Sequence, residues 1–60
     1  MSIKEGDLVE YTGKPLLFLE SGDLGIAVEI MKTYSTRFLF LHQKTLSIIA
    51  LFDYELKKVA

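Results

Sequence analysis

The side chains that could perform acid–base or nucleophilic chemistry are few and scattered along this sequence. The single histidine, His42, stands beside Gln43 and Lys44 in a predicted hairpin tip, and we interpret it as a solvated loop residue. Asp53 and Glu55 are close in sequence but have no second catalytic residue type nearby. An active site needs partnered groups in a pocket, and a small barrel is filled by its own side chains. We therefore predict that the protein is not an enzyme.

Phosphate and metal sites are equally hard to build from these residues. The glycine-rich stretch Gly22–Gly25 precedes a strand rather than a helix and carries an aspartate where phosphate-binding loops carry lysine, so it predicts a turn. The chain has no cysteine and one histidine, which excludes disulfides, thiolate sites and multi-histidine zinc sites. We expect no cofactor and no metal.

Length and charge narrow the remaining classes. Sixty residues, half of them apolar, suit one domain spanning residues 1–60 with a dense core. The net charge of −1 gives no general attraction to nucleic acid or to an anionic membrane. Residues 1–30 carry −4 and residues 31–60 carry +3, an asymmetry that either cancels in space or favours head-to-tail assembly. No segment reaches the length of a membrane span, and the N-terminus is not a signal peptide, so we expect a cytoplasmic protein.

Alternating apolar residues bounded by turn residues predict an all-β fold. A long first loop contains a proline turn and the apolar run Leu16–Leu19, and Asp53 is predicted to cap a helical turn over 53–56. The pattern is that of a small five-stranded SH3-like barrel with a long first loop and one helical turn before the last strand. The predicted strands are Asp7–Tyr11, Ile26–Met31, Thr36–Leu41, Thr45–Phe52 and Lys57–Val59.

Two glycine-containing segments of the first half follow the pattern of a known strand–loop–strand unit. The matching residues are Gly6, Asp7 and Val9 before the loop, then Gly22, Gly25, Ala27 or Val28, and Ile30 after it. This half of the chain resembles the KOW-type units of ribosomal proteins and transcription elongation factors, and short bacteriophage proteins are similar small SH3-like barrels. The resemblance implies the fold and, as an alternative function, association with RNA; a viral protein would act in the host cytoplasm.

A second stretch, Ala50–Glu55 with the sequence ALFDYE, is similar to the ALYDYE signature of SH3 domains that bind proline-rich peptides. In those domains the signature lies at the start of the domain, and a later tryptophan completes the peptide groove. Here it lies near the end of the chain, which has no tryptophan. We interpret the stretch as the helical turn before the last strand.

A small basic and aromatic group occurs around the predicted loop between the second and third strands. A single-stranded nucleic acid is bound by exposed aromatic rings interleaved with cations. The residues predicted to contact nucleic acid are Lys32, Tyr34 and Arg37.

The predicted third and fourth strands are apolar on both faces. We predict that Leu41 lies opposite Leu46 and Leu39 opposite Ile48, and that this face, with Ala50 alongside, builds the core. A register slip of one residue would exchange the two faces. The opposite face is then covered either by Leu16–Leu19 or by another protein molecule. The predicted protein interface consists of Phe38, Phe40, Ile49 and Leu51.

These observations favour a non-enzymatic interaction or assembly module that self-associates or docks on a larger complex. The alternative is a KOW-like domain associated with RNA or single-stranded nucleic acid.

Overall fold

The computed structural model describes residues 3–32 and 36–59, and within them the chain forms one antiparallel sheet of five strands. A single 3-10 turn, Asp53–Glu55, precedes the last strand. The predicted all-β class, strand number and helical turn are confirmed. The strands are β1 (Leu8–Tyr11), β2 (Leu24–Lys32), β3 (Thr36–His42), β4 (Ile48–Phe52) and β5 (Leu56–Lys58).

The strands lie in the order β4-β3-β2-β1-β5. The first loop carries the chain from β1 to β2, β2 to β4 form a meander, and β5 returns to pair with β1. In the described part of the chain β4 and β5 are the two edges of the sheet and do not pair with each other, so the sheet is not closed by hydrogen bonds. The Cα atoms span 25 × 24 × 18 Å, which requires a strongly curved sheet.

Strand β2 supplies much of this curvature. Its pairing with β3 shifts between Ala27 and Glu29, so Val28 is an extra residue on β2. A bulge of this kind bends the strand and increases its twist. The bend allows β2 to pair with β1 over its first part and with β3 along its length.

One face of the curved sheet encloses the core. Alternate residues of β1 and β3 point inward, as the period of two requires, and large aromatic rings fill much of the space. Val9 and Tyr11, which alternate with Leu8 and Glu10 along β1, lie on the same face, and both are buried. The buried hydrophobic residues are Val9, Tyr11, Leu19, Ala27, Phe38, Phe40, Leu51 and Leu56.

Gly25 is required by this packing rather than by a turn. A Cβ atom built there would lie 2.6 Å from Cε1 of Phe40 and would also collide with the Leu41 carbonyl. The ring of Phe40, which is fully buried, therefore packs directly on the backbone of β2.

The long first loop closes the inner face. Leu16 and Leu19 pair through two backbone hydrogen bonds of 3.0 and 2.8 Å, and Leu19 enters the core. Leu17 takes a positive φ of 53° at the tip, and its side chain is 84% exposed. The run Leu16–Leu19 thus covers the open side of the core and leaves the outer face of the sheet uncovered.

Candidate interaction surfaces

The residues predicted to form a protein interface lie on the buried face of the β3–β4 hairpin. Phe38, Phe40 and Leu51 are buried in the core, and Ile49 is half-buried against it. The inner face accepts them because the small residues Gly25 and Ala27 of β2 leave room for phenylalanine rings. The prediction that these four side chains form an exposed apolar face is therefore wrong.

The prediction of the core face is wrong as well: Leu46 lies in the β3–β4 turn and is 72% exposed, and the other residues assigned to the core lie on the outer face, namely Leu39, Leu41, Ile48 and Ala50. The hairpin pairs Leu41 with Ile48 and Leu39 with Ala50, a register two residues away from the predicted one because the turn between the strands is longer. His42 pairs with Ser47 across that turn, and Leu46 in it has a positive φ of 60°. A register shift of two residues keeps each side chain on the same face, so the shift does not explain why the inner face differs from the prediction.

The outer face carries a continuous apolar row across four strands. Leu8 of β1 pairs with Ile26 of β2, which pairs with Leu41 of β3, which pairs with Ile48 of β4. Paired residues point to the same face of a sheet, so these side chains are neighbours. Ile48 is 58% exposed at the edge. Leu39 and Ala50 extend this surface, which we call the outer apolar face: Leu8, Ile26, Leu39, Leu41, Ile48 and Ala50.

A cleft of about 600 Å³ lies at the end of the sheet where β2 finishes and β5 begins. Its apolar lining is formed by Ile3, Ile30, Phe38 and Leu56, and its polar lining by Lys32, Thr36, Asp53, Lys57 and Lys58, with Tyr54 beside them. Three lysines against one aspartate make this a positively charged region in a chain of net charge −1. Lys58 also lies 3.6 Å from the Asp7 carboxylate.

Stacked planar groups stand beside this cleft. The rings of Phe52 and Tyr54 are nearly parallel, 7° apart in plane and 5.3 Å between centroids. The guanidinium of Arg37, which pairs with Phe52 across the strands, lies 4.7 Å from the Phe52 ring centroid. Tyr54 is 76% exposed.

Two of the three residues predicted to contact nucleic acid lie close to the cleft. Lys32 is exposed and lines the cleft, and Arg37 is exposed beside it on the aromatic stack. Tyr34 lies outside the described residues. Sequence reasoning did not include Lys57, Lys58 and Tyr54 in this group, because β5 reaches the end of β2 only through the tertiary fold. The signal available in the sequence was the presence of two aromatic residues, Phe52 and Tyr54, two positions apart.

His42 is not the solvated loop residue that its neighbours suggested. It is 1% exposed, with Nε2 2.8 Å from Asp23 Oδ2 and Nδ1 2.8 Å from Thr45 Oγ1. The ring of Phe18 from the first loop lies 5.2 Å from the imidazole centroid. Gly25, the residue of β2 that pairs with His42, has no side chain, so the imidazole of His42 fits inward. There it joins the hairpin turn to the end of the first loop.

The Asp23 carboxylate is held in its charged form. The pKa of Asp23 is lowered mainly by a hydrogen bond of 3.0 Å that the Glu20 backbone N–H donates to Asp23 Oδ2. Partial burial raises this pKa, and the hydrogen bond with His42 lowers it further. Thr45 Oγ1 also accepts from Ser47 N–H at 3.3 Å. Both ring nitrogens of His42 thus have partners, which makes the cluster a structural link between two turns.

Asp53 is not the cap of the 3-10 turn. The Glu55 carboxylate instead accepts a hydrogen bond of 3.0 Å from the Phe52 backbone N–H, at the residue preceding the turn. At the end of β1, burial raises the pKa of Tyr11, whose hydroxyl donates a hydrogen bond to the backbone carbonyl of Lys14. These contacts tie the 3-10 turn and the first loop to the sheet.

Comparison with known proteins adds no relative: no protein-family model, curated protein or solved structure matches the chain. Across residues 3–32 and 36–59, no helix is long and apolar enough to cross a membrane. The same residues contain no group of three potential metal-ligating side chains.

Proposed function

We propose that this protein is a non-enzymatic protein-interaction module, an SH3-like five-stranded unit that self-associates through its outer apolar face. The single observation that supports this most is the uninterrupted apolar row Leu8–Ile26–Leu41–Ile48, which lies opposite the core and has exposed side chains, Leu8 and Ile48, at its two ends. Contiguous exposed apolar surfaces on small proteins mark sites of association.

The size of the chain makes this surface more informative. A 60-residue chain buries about 60% of its unfolded surface, a smaller share than larger domains bury, and it has few ways to add stability. Apolar side chains on the outer face contribute nothing to its core. Self-association would bury them and stabilise each subunit at the same time.

The test is the mass in solution from micromolar to millimolar concentration, measured by sedimentation, for the wild type and Leu39→Lys. Leu39 lies near the centre of the outer face and pairs with Glu29, so a lysine there is compatible with the strand while making association unfavourable. Leu17→Lys is the matched control, because Leu17 is exposed in the first loop. We expect Leu39→Lys to shift the protein to monomer and Leu17→Lys to have no effect. A wild type that stays monomeric up to millimolar concentration would contradict the proposal.

A second function, binding of single-stranded nucleic acid, is favoured by the cleft. Lys32, Lys57 and Lys58 line it, and the Arg37–Phe52–Tyr54 stack stands beside it. Cations and an exposed ring are the elements with which single strands are bound without sequence preference. This function also agrees with the KOW-like pattern of the first half.

Fluorescence anisotropy with a labelled oligo-dT and a labelled oligo-U tests this second function at low and at moderate salt. Binding through phosphates weakens as salt rises, and Lys57→Ala should reduce both the affinity and its salt dependence. Lys44→Ala is the control, because Lys44 lines a different depression beside Asp23 and His42. Equal loss in the two variants, or no binding at low salt, would reject nucleic acid as the ligand.

A further inference from the structure

We propose that two copies of this chain associate edge to edge, with the β4 strands pairing antiparallel around a two-fold axis at Ile49. This inference rests on the proposed function, since it takes self-association as its starting point. It adds a second contact beside the outer apolar face, and names the strand, the register and the hydrogen bonds of that contact.

The hydrogen-bonding pattern of the hairpin shows which β4 groups point outward. His42 N–H donates to the Ser47 carbonyl at 2.8 Å, and the His42 carbonyl accepts from Leu46 N–H, so His42 and Ser47 stand at the position of a hydrogen-bonded pair, joined directly by one of its two bonds. In an antiparallel ladder such pairs alternate with pairs that are not hydrogen-bonded. The pairs Leu41–Ile48 and Leu39–Ala50 belong to the second kind. The N–H and C=O groups of Ile48 and Ala50 therefore point away from β3, toward the free edge.

The third outward-pointing residue of β4 already has a partner. Phe52 N–H donates to the Glu55 carboxylate, which closes the edge at the 3-10 turn. The open part of the edge is thus limited to Ile48 and Ala50. In the proposed register Ile48 lies opposite Ala50 of the second copy, and these two residues exchange two backbone hydrogen bonds. The two-fold axis produces a second, identical pair, so the interface contains four backbone hydrogen bonds.

The two sheet edges differ in how they are protected. Natural edge strands are commonly blocked by charged residues, proline or bulges. Strand β5 carries Lys57 and Lys58, whereas β4, with the sequence IIALF, contains no charge and no proline. The β4 edge is also where the outer apolar row ends, at the exposed side chain of Ile48.

The same register fits the side chains on both faces and at both ends. It sets the half-buried Ile49 against its copy on the inner side and continues the outer apolar face from one sheet to the other. It also directs the 3-10 turn of each copy toward the β3–β4 turn of the other. Asp53 is exposed in the 3-10 turn and Lys44 is exposed in the β3–β4 turn, so the dimer brings opposite charges together at two symmetric places.

The main test is Ala50→Pro in the full chain, with sedimentation and a heteronuclear spectrum to verify the fold. The Ala50 N–H points to the edge, so proline removes a donor of the proposed interface without breaking a bond to β3. We expect the dimer dissociation constant to rise by about tenfold or more. Lys58→Pro on the other edge is the matched control, since its N–H points away from β1, and it should leave the dimer unchanged.

A second measurement needs no substitution. In the wild type at high concentration, hydrogen exchange of the Ile48 and Ala50 amides should be slowed, and dilution should restore rapid exchange. Lys44→Glu should weaken the dimer, and adding Asp53→Lys should restore it.

The outcomes separate this inference from the proposed function. A dimer that survives Ala50→Pro, or one in which the Ile48 and Ala50 amides exchange rapidly, would overturn edge pairing while leaving association through the outer face intact. A protein that is monomeric at every concentration would overturn both. If Ala50→Pro does not fold, edge pairing is still tested by hydrogen exchange of the Ile48 and Ala50 amides and by the charge-reversal variants of Lys44 and Asp53.

Discussion

The two faces of the β3–β4 hairpin are made of similar side chains but have opposite environments. Phe38, Phe40 and Leu51 on one face are buried, whereas on the other face Leu41 is half-buried and Ile48 is exposed. Hydrophobicity alone therefore does not choose the inner face. The choice follows from the neighbouring strand, where Gly25 and Ala27 leave space that phenylalanine rings fill and smaller side chains would leave empty.

Phe40→Ala should have the largest effect on this contrast. Phe40 is fully buried against Gly25, and removing its ring leaves a cavity that costs about 3–5 kcal/mol of the free energy of unfolding. That is comparable to the whole stability of a small domain, so the variant is expected to be largely unfolded in chemical denaturation. Ile48→Ala on the outer face should cost less than about 1 kcal/mol. Equal losses at the two positions would mean that the faces are not distinguished as described.

Gly25→Ala sharpens the same comparison from the other side of the contact. The added methyl would meet the Phe40 ring and the Leu41 carbonyl, and overpacking of this kind costs about 2–3 kcal/mol. Denaturant unfolding measures the loss. Combining Gly25→Ala with Phe40→Leu should cost less than the sum of the single changes, because the smaller side chain relieves the collision. Strict additivity would show that the ring is not the obstacle.

His42→Leu tests the polar end of the inner face. Leucine keeps the volume but loses the hydrogen bonds to Asp23 and Thr45, and we expect a loss of about 1–2 kcal/mol in the free energy of unfolding. Gln43→Leu, at the exposed neighbouring position, should change stability little. A neutral His42→Leu would mean that the imidazole only fills space.

Acid should weaken the link between the two turns, with the smallest of these effects. The folded pKa of Asp23 is lowered, so its carboxylate stabilises the fold at neutral pH, and this contribution disappears as the pH falls through the folded pKa. The loss should begin near about pH 5 and continue below about pH 4, where an unfolded aspartate titrates. Asp23→Asn should flatten this part of the curve of stability against pH. Asp7, whose pKa is also lowered, mainly by the backbone hydrogen bond from Lys4, accounts for part of the remaining slope.

Much of the strand pattern could be predicted from local residue order. Alternation placed Val9 and Tyr11 on one face, and turn residues located the first loop and the 3-10 turn, with strand ends shifted by a few residues. These features depend on neighbours in the sequence, which is why they could be predicted. The candidate surfaces were harder, since a hairpin that is apolar on both sides carries no local signal for which side is buried.

Residue order alone predicts an all-β protein whose core is apolar and lacks disulfides, and whose third and fourth strands are apolar on both faces. It does not predict that the phenylalanines lie inside, that His42 is buried between two turns, or that Lys57 and Lys58 join Lys32 in one cleft. All three features have the same cause. Burial and proximity depend on which strands become neighbours, and β2 and β5 find their partners only when the curved sheet is complete.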